Sequence, residues 1–160
     1  MEKHVISVLT QNVPGVLYRI SGLVRRKLFN IDSLTVGDTS NPEKARFTIS
    51  LTGSQEEARK LVQTVSKLVE VIEIKILDPQ KTVSREIVLA KLMIMDDADE
   101  KILQQSVDGI VMKELSRSGH QVCIELMDSH QVLEKFLDTL LHNNIEVVEW
   151  IRSGLIATEA

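Results

Sequence analysis

The chain has 160 residues, of which 43% are apolar and 26% charged, with a formal net charge of -4. That balance describes a globular protein, and an acidic chain with 3% aromatics is a poor match to a nucleic-acid binder. No apolar run reaches membrane-spanning length, and the single cysteine, Cys123, excludes an internal disulfide and fits a reducing, cytoplasmic setting.

The hydrophobic period switches between strand and helix values along the chain. Residues 4–10 read as a nearly continuous apolar strand, too short and wrongly flanked for a signal peptide. The loop Gln11-Asn12-Val13-Pro14-Gly15 follows. Then Val16, Leu17, Ile20, Leu23, Val24 and Leu28 recur at helical spacing, and Asn30 reads as the stop. Residues 31–37 read as a strand. Asn41-Pro42 marks a turn. Ala45, Phe47, Ile49 and Leu51 alternate with polar neighbours, the signature of a half-buried strand. Ser54 and Glu57 stand at capping-box spacing before the helical positions Ala58, Leu61, Val62, Val65 and Leu68. Ile72, Ile74 and Ile76 alternate through a last strand. The order is βαββαβ.

Residues 78–84 are polar, contain Pro79 and read as a linker. The plan then repeats: a strand at 86–95, a weaker helix at 97–107, a hairpin of strands 110–115 and 120–127, a helix from 128 and a strand at 145–151. Leu155-Ile156-Ala157 adds a short terminal strand. The predicted class is α+β: two tandem ferredoxin-like βαββαβ domains, spanning 1–77 and 85–160, each an antiparallel sheet with its helices on one face. The uncovered sheet face of the first domain predicts a dimer formed through it.

Catalytic chemistry is hard to find in these residues. His4, His120, His130 and His142 are scattered, read as solvated ends of elements, and do not converge on a zinc site. The acidic run at 96–100 lacks the calcium-loop glycine and suits a helix N-terminus. Cys123 sits in a strand with no visible base and reads as packing. Arg25-Arg26-Lys27 suits a helix C-terminus. An RNA-binding sheet would need more aromatics than Phe47 on its middle strand. A phosphate-ester hydrolase on this sheet would need an arginine in the first loop, where Asn12 and Gly15 stand instead.

The loop 11–15 carries the other signal. A helix N-terminus presents free amides and partial positive charge, Gly15 permits close approach, and Asn12 both donates and accepts. Those features suit the charged end of a free amino acid. They equally suit an ordinary strand-to-helix turn capped by Asn12.

Gln11-Asn12-Val13-Pro14-Gly15-Val16-Leu17 followed by Arg19-Ile20 resembles the opening of an ACT domain, an amino-acid-binding βαββαβ module. Phe29-Asn30-Ile31-Asp32-Ser33-Leu34-Thr35-Val36 resembles the second-strand motif of acetolactate synthase small subunits. Lys67-Leu68-Val69-Glu70-Val71, the run 85–91 and Ile151-Arg152-Ser153-Gly154-Leu155-Ile156-Ala157 resemble later segments of the same family, in order. The resemblance implies a non-catalytic regulatory subunit, dimeric through its ACT domain. It implies a partner catalytic large subunit that carries thiamine diphosphate, Mg and FAD, with no cofactor on this chain. It further implies feedback inhibition by a branched-chain amino acid, usually valine. The effector contacts implied are Asn12, Gly15, Val16 and Leu17 of one chain with Asn30 and Ile31 of the other. A free-standing ACT-type sensor controlling another protein is the alternative, but it does not require the C-terminal matches. The stretch 106–115 departs from the family: its arginine is absent, and Lys113 stands where an acid is expected.

Overall fold

A computed structural model describes residues 2–160. The chain divides into two compact units, one running to Val83 and regaining Leu155–Ala160, the other Ser84–Gly154. The tail that the sequence assigns to the second domain therefore belongs to the first. Leu155 explains the return, since it is 1% exposed, and Ala160 N–H donates to Lys81 C=O at 2.8 Å. Similarly, the expected linker is shortened to a turn, because the strand after it already begins at Thr82.

The first unit contains β1 (Glu2–Gln11), α1 (Val16–Arg26), β2 (Ser33–Asp38), β3 (Lys44–Gly53), α2 (Gln55–Val65) and β4 (Val71–Ile76). Its sheet has the order β2-β3-β1-β4 and every pairing is antiparallel. Register places Ile6 beside Ile49 and Val8 beside Phe47. These residues face α1 through Val16, Ile20 and Val24, and α2 through Ala58, Leu61 and Val65. Alternation thus becomes one core under two helices. The capping box is present: Ser54 Oγ accepts from Glu57 N–H, and Glu57 accepts from Ser54 N–H. Those hydrogen bonds from the Ser54 backbone and side chain hold the Glu57 carboxyl below the usual carboxylate range.

Helix α1 ends earlier than its hydrophobic spacing predicts, and Asn30 is not its stop. Leu28 takes the left-handed conformation at φ 56. Leu28 N–H donates to Arg25 C=O and Phe29 N–H to Val24 C=O, both at 3.1 Å, which is a Schellman closure. Phe29 packs on the core while Leu28 is 90% exposed. Leu28→Gly is expected to raise stability by about 1 kcal/mol, because glycine adopts this conformation without the side-chain clash. Thermal denaturation of the variant checks this.

The second unit repeats the order with β5 (Thr82–Met93), α3 (Asp97–Ser106), β6 (Val111–Ser118), β7 (Gln121–Asp128), α4 (His130–His142) and β8 (Glu146–Arg152), in the sheet order β6-β7-β5-β8. The short strand β9 (Ile156–Glu159) lies in the segment that returns to the first unit. The core gathers Val88, Ala90 and Leu92 of β5, Val122, Ile124 and Leu126 of β7, Leu103 of α3, and Leu133, Phe136 and Leu140 of α4. Asp96 caps α3 by accepting from Ala98 and Asp99 N–H, which accounts for part of the acidic run. Cys123 is half-buried on β7.

Two histidines depart from the solvated reading. His4 is 5% exposed, with Nε2 3.3 Å from Gly53 C=O. His130 belongs to a charged cluster in the second unit. Glu86, 3% exposed, accepts from Arg152 Nη1 at 2.6 Å, and His130 Nδ1 lies 3.1 Å from the same carboxylate. Arg152 also pairs with Glu134 and lies 5.7 Å from the Trp150 ring centroid. Glu86 shares the core side of β5 with Val88, Ala90 and Leu92, which is why its charge needs partners.

Candidate functional site

The loop between β1 and α1 is built for exposed backbone. Gly15 is the N-cap of α1, left-handed at φ 88, ψ -4, with no side-chain cap. No acid stands in the first turn. The opening N–H groups of α1 therefore lack the two usual local acceptors, and an anion can meet them.

Asn12 is not the helix cap that a simple turn would require. Its N–H donates to Glu43 C=O at 2.7 Å. Its Nδ2 donates to Pro42 C=O at 3.1 Å and Asp38 Oδ1 at 3.4 Å. The donor side of the amide is spent holding the turn between β2 and β3. Its Oδ1 remains the acceptor, the half that suits an ammonium group.

Val16 is 4% exposed and belongs to the core, and its N–H donates to Val13 C=O at 3.5 Å, so it offers no side chain at the surface. Leu17 is 47% exposed and presents its side chain. Asn30 is exposed, and Ile31 is half-buried against the core.

These residues form two groups. Asn12, Gly15, Val16 and Leu17 gather where α1 begins; Asn30 and Ile31 follow where it has ended. The eleven residues of α1 run from the first group toward the second, a length of about 16 Å. A recess lined by Gln11, Asn12, Val13, Pro42 and Ile72 lies at the first end, and another lined by Leu28, Phe29, Asn30 and Thr52 at the second, with no residue in common. One chain does not bring both groups to one small molecule. β2, which Asn30 and Ile31 lead into, is an edge strand with one row of backbone groups unpaired in the sheet.

Sequence reading overlooked the ion pair behind this loop. Arg19 Nη2 lies 2.5 Å from Glu70 Oε1, and Glu70 is buried. A cation in the opening turns of a helix, set against the dipole, was the available signal. Among the described residues, no three His, Cys, Asp or Glu side chains cluster as a metal site, and no helix is long and apolar enough to cross a membrane.

Residues 6–73 match the AHAS small subunit-like ACT domain. The acetolactate synthase small subunit of Haemophilus influenzae is 31% identical over 157 residues, covering 97% of this chain and 94% of that protein. The chain belongs to the acetolactate synthase small-subunit family. A probable small subunit from Methanothermobacter thermautotrophicus is 29% identical over 96% of this chain and 90% of its own length. The crystal structure of the small subunit from Thermotoga maritima aligns with a TM-score of 0.83 at 30% identity, over 100% of this chain and 98% of that one. Both units thus have counterparts in the family, and the first is its ACT domain.

Proposed function

We propose that this chain is the regulatory subunit of an acetolactate synthase, raising the activity of a separate catalytic large subunit and conferring feedback inhibition by a branched-chain amino acid, valine first among them. The chemistry belongs to the large subunit, where the family resemblance also puts thiamine diphosphate, Mg and FAD. Placement of the two residue groups at opposite ends of α1 carries the sensor part of this reading. An effector touching both groups needs two copies, the loop of one chain and the start of β2 of the other.

In that arrangement the α1 amides receive the effector carboxylate, and Asn12 Oδ1 accepts from its ammonium group. Leu17 and Ile31 line the branched side chain, where a few apolar contacts suffice for a small ligand. An effector held between two chains favours one dimer geometry, and the response is limited by its differential affinity for the two states.

Titration calorimetry with L-valine, L-leucine and L-isoleucine, on the chain alone and with the large subunit, tests this. Saturable binding at one effector per site built from both chains, two per symmetric dimer, is the expected result. Asn30→Ala should weaken it by about fivefold to tenfold, the loss of one hydrogen bond. Absence of binding in both settings would remove the sensor role. An unchanged rate on adding the chain to the large subunit would remove the activating one.

A further inference from the structure

The start of α1 has its electrostatics reversed. Acids stabilise a helix N-terminus and cations oppose it. Here the first turn has no acid, and Arg19 stands at the fourth helical position. Glu70 offsets that charge through the 2.5 Å contact with Arg19, and its side chain is only 11% exposed.

Glu70 also ties down the other side of the loop. Its C=O accepts from Gln11 N–H at 2.9 Å, at the last residue of β1. By backbone it holds the end of the strand, and by side chain the start of the helix; residues 12–15 run between these two anchors. Arg19 borders that segment. A Cβ built on Gly15 would stand 3.3 Å from Arg19 Nη1, so one terminal nitrogen meets Glu70 while the other fills the space a side chain at residue 15 would take. A guanidinium fork can do both at once, and an ammonium cannot.

The remaining oxygen, Glu70 Oε2, is buried with no hydrogen-bond partner. The guanidinium is therefore the cation that keeps this nearly dehydrated carboxylate in place.

We propose that Arg19 and Glu70 form a positioning clamp that fixes residues 12–17 in the conformation that receives the effector. What the loop receives rests on the sensor reading above; the clamp is a property of the free chain. Removing Arg19 empties the space beside Gly15 and strands Glu70, so the loop loses its shape while the core under α1 and α2 stays.

Amide hydrogen exchange on the full chain and L-valine inhibition of its complex with the large subunit test this together. In Arg19→Gln, exchange at the amides of positions 11, 12 and 19, each hydrogen-bonded at the loop and each corrected for its intrinsic rate, should rise about tenfold or more, the equivalent of one lost charge-assisted contact. Exchange in α2 should hold. Half-inhibition should need about tenfold more L-valine, with activation in its absence unchanged. Arg19→Lys should recover part of both effects, and Glu70→Gln should resemble Arg19→Gln. Unchanged exchange at the three amides overturns the clamp. Exchange rising equally across the first unit, with a lower Tm, also overturns it and makes the pair a general structural tie. If no branched-chain amino acid inhibits the unmodified complex, the sensor reading fails, and the exchange data alone still decide the clamp.

Discussion

Arg152→Met is expected to destabilise the second unit by about 3–5 kcal/mol, the cost of stripping the partner from a buried charge. Glu86 is 3% exposed and takes its 2.6 Å contact from Arg152. Without it, the carboxylate keeps only His130 at 3.1 Å. The remaining routes are protonation or admission of water, and each costs free energy on a face otherwise built from Val88, Ala90 and Leu92. The loss approaches the whole stability of an ordinary domain. Trp150 is the chain's single tryptophan, and the Arg152 guanidinium lies 5.7 Å from its ring centroid. Its fluorescence during urea denaturation reports the second unit, while the single tyrosine, Tyr18, sits on α1 in the first. The early transition should appear at Trp150. A paired Glu86→Leu and Arg152→Met variant should regain most of the loss, since removing both charges leaves neither uncompensated. Equal stability of the single variant and the unmodified chain would show that water or His130 carries Glu86.

That cluster also shows where sequence reasoning stops. Local devices are readable because their partners lie a few residues apart: the alternation of Ala45, Phe47, Ile49 and Leu51, and the pairing of Ser54 with Glu57. Glu86 can be placed on the core side of β5 by counting in twos from Val88. Its need for Arg152, 66 positions away, depends on β8 lying next to β5, which only the folded sheet supplies. The end of α1 was misread for a related reason. Asn30 has the residue type that suits a left-handed stop, but the anchor is Phe29 entering the core, and that fixes the left-handed residue at Leu28. At the loop, the separation of Gly15 from Asn30 follows from the helix between them. The partners of Asn12 and Arg19 come from the turn before β3 and from the residue before β4, and no spacing along the chain announces them.

Gly15→Asp should abolish effector inhibition and leave activation of the large subunit close to its unmodified level. The position combines three demands. Its φ of 88 suits glycine, and aspartate enters the left-handed region at a cost of about 1 kcal/mol, too little to unfold the unit. Its Cβ would press on Arg19 Nη1 at 3.3 Å, so the new carboxylate competes with Glu70 for the guanidinium. And it brings a negative charge to the helix N-terminus that would receive the effector carboxylate, where like charge repels the ligand. Gly15→Ala separates these causes. Alanine brings the backbone cost and the contact with Arg19 but no charge, so it should retain weakened inhibition. The L-valine requirement should rise about tenfold in Gly15→Ala and beyond about a hundredfold in Gly15→Asp, steps of roughly 1.4 kcal/mol each. Equal losses in the two variants would assign the effect to loop shape and exclude charge at the carboxylate position. Full inhibition in Gly15→Asp would remove this loop from the effector site altogether.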